Sequence, residues 1–362
     1  MKNRIFILGM IILTQFSILS CSDNAPIDET DTNTDPSAEL YAKVLTNISL
    51  NVITDTYKDL FENARNLNET TKALEIGNSE SLEQVREAWK NTRAPWELSE
   101  GFLYGPVDTQ GIDPAIDSWP VDVNAINNIL ESDQEITASL LETNNEARGF
   151  HTIEYLIWGL DGEKSATELT ERQIEYLVAA TQNLEDKTRQ LYMGWNPDEN
   201  NFAENFIKAG QEGSLYRSSK AALEEVGEGM VIIADEVANG KIEVPLNGNN
   251  GSAKPEAEES RFSNNSKLDF ANNIRSIRNL YKGSLDGSAT SGLSAVVSKN
   301  DAALDAELEK KIEASISAIE AIPGTFTMAI ENDREAVAVA QQKVAVLKAM
   351  LESKLLPLIS GL

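Results

Sequence analysis

One cysteine and one histidine are all that the 362 residues contain. The cysteine, Cys21, lies ahead of what reads as the folded body, so disulfides, thiolate metal sites and cysteine nucleophiles are excluded from that body. The lone His151 excludes any zinc site that needs two imidazoles from one chain, His-Glu-x-x-His among them. Basic residues are scarce as well: 31 Lys and Arg stand against 58 Asp and Glu, a formal charge of −27. Such a field repels nucleic acid and anionic headgroups, so no nucleic-acid partner is expected, and it favours cations or cationic partners. Period-two alternation is nearly absent, which leaves little signal for strands.

Long apolar runs are missing except at the start. Lys2 and Arg4 lead into an apolar run at residues 5–19, and Ser20 and Cys21 follow at once. That run is short for a membrane span, which takes about 20 apolar residues. With its basic flank it reads as a signal peptide, residues 1–20. A cysteine directly after the small residue of a cleavage site is where bacterial processing attaches lipid, so Cys21 is the expected lipid-attachment site and membrane anchor. The alternative is an ordinary cleaved signal followed by a stray cysteine. Residues 21–37 hold acidic residues among Thr, Asn and Pro with no hydrophobic period, and read as a flexible acidic tether. The expected location is the bacterial cell envelope, anchored at the outer membrane and facing the periplasm or the cell surface.

From residue 38 the pattern becomes helical. Tyr41, Val44, Leu45, Ile48, Val52, Ile53, Tyr57, Leu60, Phe61, Ala64 and Leu67 recur at three- and four-residue spacing and predict one long amphipathic helix. Similar stripes run through Leu82-Val85-Trp89, Ile174 to Leu191, Leu223 to Val237, Leu304 to Ile319 and Val337 to Leu355. The expected class is all-α, as two packed helical-bundle domains with a boundary near residues 195–250. Residues 245–265, rich in Asn, Gly, Ser and Pro, predict a long loop of the kind that is functional or disordered.

Three segments depart from the bundle pattern. Residues 149–159 are bounded by glycines and apolar nearly all round, as in a buried helix, yet carry His151 and Glu154 on one face. A buried carboxylate is costly unless paired or bound to metal. Imidazole and carboxylate one turn apart form a workable half-site for a divalent or ferric ion; the alternative is a polar core pair completed by an arginine. Around Pro95, a kink is expected to point Glu97 and Glu100 at a common point, unless they form a solvated acidic face at a helix start. In residues 258–266, Arg261 is the expected cation for Glu154, and Ser263 or Ser266 the expected cap of a helix over residues 267–282.

These segments carry a resemblance. Gly149-Phe150-His151-Thr152-Ile153-Glu154, a Gly-x-His-x-x-Glu motif, occurs with Arg93-Ala94-Pro95-Trp96-Glu97, Asp117-Ser118-Trp119-Pro120 and Glu259-Ser260-Arg261-Phe262-Ser263. Together they resemble the imelysin-like family of bacterial envelope proteins from about Tyr41 to near the C-terminus. The resemblance implies a helical region over 38–362, made of two related bundles with the His-x-x-Glu residues near their interface, and an association with iron or other metal uptake. It also implies a competing activity, since the family was first filed among metallopeptidases. One histidine is too few for the usual zinc hydrolase, whose metal takes two or more nitrogen or sulfur ligands.

The expectation is therefore a metal-binding lipoprotein without turnover. His151, Glu154, Glu97 and Glu100 are its metal ligands, with Arg93, Asp117, Ser260 and Arg261 in supporting or ligand-binding roles. Iron, as the ion or as a chelate, is the expected cargo ahead of zinc, and a metal-uptake transporter is the expected partner.

Overall fold

A computed structural model describes residues 36–362, which form one compact unit. The expected signal peptide, Cys21 and the expected tether up to residue 35 lie outside the described residues, and the first helix begins at Pro36, inside the expected tether. The fold is all-α: no β-sheet forms among the described residues, only an isolated bridge between Asn249 and Ser252. No helix among them is long and apolar enough to cross a membrane.

The long N-terminal helix has two halves, α1 (Pro36–Asn47) and α2 (Asp55–Lys72), joined without a break by a π-helical stretch, Ile48–Thr54. Its stripe from Val44 through Leu67 is buried as the spacing requires, apart from the half-buried Phe61. A π turn carries more residues than an α turn and so shifts the phase of the stripe. The consequence is two sets of neighbours for one helix.

α2 packs on α3 (Ser79–Glu97) and α5 (Glu171–Trp195), with the buried α4 (Gly149–Trp158) against both. α1 packs on α6 (Ser219–Asp235) and α8 (Leu293–Asn300). These belong to a second group with α7 (Ser266–Lys282), α9 (Ala302–Glu320) and α10 (Arg334–Met350). The helices start where side chains satisfy their first N–H groups: Asn78 accepts from Glu80 and Ser81 for α3, and Thr170 and Gln173 form a capping box for α5.

The two groups share one hydrophobic core. The passage from α5 to α6 falls within residues 195–250, but α3 and the turn after it pack directly on α6 and α7. The seam between the groups is therefore a packed interface. Residues 245–265 are partly regular: after a short helix, Glu243–Asn247, and a single turn, Pro255–Ala257, the chain dives inward, burying Glu258, Ser260 and Phe262.

Candidate metal centre

At that seam, apolar packing gives way to charge. α3 brings Arg93 and Glu97 in its last turn, beyond which Glu100 follows in a short turn, Glu100–Phe102. α4 brings His151 and Glu154. Asp117 comes from the residue after a short helix, Asp113–Ile116. α7 brings Asp269 and Asn273, and the inward segment brings Glu259 and Ser263. Arg93, Glu97, His151, Glu154 and Asp269 are all 0% exposed, so solvent screens none of their charges.

The glycine of the Gly-x-His-x-x-Glu motif explains how His151 reaches Asp117. Gly149 has φ +79°, and a Cβ there would stand 2.3 Å from the Ile116 carbonyl oxygen. Only glycine permits both the left-handed backbone and this approach. The start of α4 thus presses on the end of the Asp113–Ile116 helix, and Trp89 fixes it from the other side by donating to the Phe150 carbonyl at 3.0 Å.

His151 is held by one ring nitrogen and open at the other. Nδ1 lies 2.9 Å from Glu154 Oε2. The other Glu154 oxygen accepts from the Ser263 backbone N–H at 2.8 Å and the Ser263 hydroxyl at 2.7 Å. Nε2 points at Asp117 Oδ1, 3.1 Å away, and Glu259 Oε1, 3.5 Å away, but is buried without an aligned hydrogen bond. Trp119 covers the ring edge-on at 4.8 Å. Burial, the largest influence, and Arg93 push the imidazole toward neutrality, yet the three carboxylates outweigh them and hold its pKa well above the ordinary histidine range.

Arg93 frames the carboxylates. Its guanidinium pairs with Glu97 Oε1 at 2.5 Å and Glu259 Oε1 at 2.7 Å, contacts Asp117 Oδ1, and has Asp269 Oδ2 at 3.5 Å. Trp96 donates to the second Asp117 oxygen at 2.6 Å. Burial pushes the Asp117 and Glu259 carboxyls upward, but Arg93 with His151 for the first, and Lys241, His151 and Arg93 for the second, bring both below the usual range. Burial prevails at Glu97, raised to about 8, and at Asp269, raised to about 6.

Among the described residues, two sets of side chains bring ligand atoms within 4.8 Å of one another: Asp117, His151 and Glu259, and Glu97, Glu100 and Asp117. Neither includes Glu154. It stands behind the imidazole, where a carboxylate sets the tautomer and orientation of a ligating histidine. The donor set otherwise fits a cation. Nε2 is a buried nitrogen without a well-aligned hydrogen bond that faces two ionised oxygens, and the acids around it outnumber Arg93 and Lys241. A cleft of about 590 Å³ reaches the group from solvent, lined by Glu100, Asp113, Asp117, Trp119, Lys241 and Glu259 among others.

The expected residues are thus gathered in one place, with differences. Glu97 and Glu100 do converge near Pro95, and are buried rather than a solvated face. Arg261 is not the partner of Glu154; it stacks over the Phe262 ring at 5.1 Å, and His151 and Ser263 occupy the carboxylate instead. Neither Ser263 nor Ser266 caps α7, whose N-cap is Asn265 without a side-chain bond. Ser266 donates to Glu258 and to the Glu259 carbonyl, both at 2.7 Å. Ser260 is buried beside Asp269 with φ +51°. Glu259, Lys241 and Asp269 join the site without having been singled out as ligands or partners.

The imelysin family model matches residues 53–351. The chain is 30% identical over 285 residues to iron-regulated protein A of Synechococcus elongatus, covering 77% of this chain and 75% of that protein. Its fold is similar to the crystal structure of a protein assigned as an iron-regulated protein A precursor from Parabacteroides distasonis, with TM-score 0.79, 29% identity, and coverage of 91% of this chain and 96% of the other. It also shares the fold of an imelysin-like protein from Psychrobacter arcticum, with TM-score 0.73 at 16% identity over 90% of this chain and 97% of the other.

Proposed function

The chain belongs to the imelysin family, and from that premise we propose that it is an envelope lipoprotein that binds a transition-metal ion, iron first, as part of metal uptake. The ion is held by His151 Nε2 with Asp117 and Glu259, while Glu154 orients the imidazole. The observation that carries this reading is the convergence of the buried Nε2 on two carboxylate oxygens at 3.1 and 3.5 Å without a well-aligned hydrogen bond, while Nδ1 is fixed by a third carboxylate. One imidazole with carboxylates suits Fe, Mn and Zn alike. Iron is preferred because the relative from Synechococcus elongatus is named as iron-regulated.

Binding exchanges charge for charge. Before metal entry, the proton on His151 balances Asp117 and Glu259; a metal ion takes the Nε2 lone pair and the proton leaves through the cleft. Arg93 keeps the two carboxylates aimed at the same point throughout. Trp119 limits water access to the ring.

We read the site as binding without peptide hydrolysis. A zinc hydrolase usually has two or more nitrogen or sulfur ligands and an open position for water, and a single imidazole offers one. The test is elemental analysis of protein purified without chelator, beside His151→Ala. Metal retained by the wild type and lost from the variant is expected. Wild-type protein that neither carries metal nor binds added Fe²⁺, Mn²⁺ or Zn²⁺ in calorimetry would overturn the reading. Metal-dependent cleavage of a peptide library, abolished by His151→Ala, would replace it with the peptidase.

A further inference from the structure

We propose that Glu97, Glu100 and Asp117 form a second cation position beside the His151 site, and that the Lys241 ammonium, at its edge between Glu97 and Glu259, keeps a metal ion out of it. The inference rests on reading Asp117, His151 and Glu259 as a metal site and extends it to a pair of positions sharing Asp117.

The unusual member is Glu100. It is only 5% exposed, lines the cleft, and makes no hydrogen bond or ion pair with any described residue. A buried carboxylate without a donor is costly. Its acceptor oxygens are thus free to take a ligand, and one of them lies within 4.8 Å of oxygens from Glu97 and Asp117. Three carboxyls so close can all be ionised only when a cation stands among them.

Lys241 is the nearest ammonium to that position, at its edge between Glu97 and Glu259. Its side chain is 8% exposed, and its Nζ lies 2.8 Å from Glu259 Oε2, 3.7 Å from Glu236 Oε1 and 3.8 Å from Glu97 Oε2. An ammonium carries three donors, and only one of these contacts is at hydrogen-bond distance. The amine is therefore held as a charge in an acidic enclosure more than as a strut between fixed partners. It reaches the enclosure because α6 runs on into a π-helical stretch, Glu236–Ile242, which carries both Glu236 and Lys241 to the cleft wall. π turns recur at functional sites.

The wild-type chain should accordingly bind one ion, and a chain with a neutral residue 241 should bind two. Two ions bridged by one carboxylate sit about 3.5–4 Å apart, close enough for their spins to couple. The experiment is titration of the full chain with Mn²⁺ alone, read as stoichiometry by calorimetry and as coupling by electron paramagnetic resonance. It compares wild type, Lys241→Met and Lys241→Gln, with Glu100→Gln or, separately, His151→Ala added to each variant. One ion in wild type, two coupled ions in either position-241 variant, and a return to one on adding Glu100→Gln are expected. One ion throughout would overturn this inference and leave the His151 reading intact. No ion in wild type but one in a position-241 variant, lost with Glu100→Gln and kept with His151→Ala, would support this inference and overturn the His151 reading. No ion in any of them would overturn both. Having both Met and Gln at position 241 guards against one of them failing to fold.

Discussion

Glu154 Oε2 lies 2.9 Å from His151 Nδ1, one helical turn along α4, so the carboxylate backs the imidazole instead of sharing an ion with it. On the proposed reading the two residues of the His-x-x-Glu motif do different things: one would offer a lone pair, and the other would decide where it points. Replacing Glu154 with Gln keeps the shape and removes the charge. Metal affinity should fall about 10- to 100-fold, the range for losing such a partner, whereas His151→Ala should remove binding altogether. Calorimetry with Mn²⁺ on the three proteins decides it. If Glu154→Gln abolished binding as fully as His151→Ala, Glu154 would be a ligand.

Gly149 makes a separate and purely structural demand. A Cβ would meet the Ile116 carbonyl at 2.3 Å on a backbone with φ +79°. The left-handed conformation alone costs a side-chain-bearing residue about 1–2 kcal/mol, and the clash adds to it. Gly149→Ala should lower the unfolding free energy by at least ~2 kcal/mol in urea denaturation. It should also weaken metal binding, because relief of the clash moves α4 away from Asp117. A loss below ~0.5 kcal/mol would show that α4 and the Asp113–Ile116 helix do not meet as closely as described.

The helices were legible because each buries one continuous stripe, and that spacing is written in the sequence: Val44 to Leu67, Leu223 to Val237 and Val337 to Leu355 are buried as expected. The gathering of Arg93, Glu97, Glu100, Asp117, His151 and Glu154 was legible for another reason. Charged residues in apolar or kinked segments need partners, and one another were the partners available. What stayed hidden depended on backbone details that leave no periodic trace. Lys241 enters through a π turn, which shifts helical phase. Glu259 and Arg261 exchange their expected importance because the chain around Ser260 takes a left-handed turn at φ +51°. That turn sends the glutamate inward and leaves the arginine stacked on Phe262.

Glu258 gives the pH dependence its clearest single contributor outside the metal centre. It is buried, accepts from Ser266 Oγ at 2.7 Å and Thr327 Oγ1 at 2.6 Å, and burial raises its pKa from 4.5 to about 7. A carboxyl raised on folding is protonated in the native state while the unfolded chain has released the proton. Its contribution is therefore complete below pH 4.5 and is lost as pH rises through about 7. Glu258→Gln should flatten that part of the profile, and at pH 8 should be more stable than wild type by on the order of 1–3 kcal/mol. Urea denaturation of both proteins at pH 5, 6.5 and 8 measures the difference. A variant that loses stability equally at all three pH values would show that the two hydroxyl contacts, not the charge, matter at this position.

Arg93 allows charge to be separated from geometry. Its guanidinium meets Glu97, Asp117, Glu259 and Asp269 at once, which its planar fork permits and a single ammonium does not. Arg93→Lys preserves the net charge but leaves at least two of the four buried carboxylates without a partner. Breaking a buried pair costs roughly 3–5 kcal/mol, and the retained charge recovers part of that. A loss of about 2–4 kcal/mol in denaturation is expected on that basis. If Asp117 and Glu259 hold the proposed ion, metal affinity should fall with it, because Arg93 keeps them aimed at the same point as His151 Nε2. If the lysine variant matched wild type in both measurements, the site would need only a positive charge at that depth, and the carboxylates would be positioned by Trp96 and Lys241 instead.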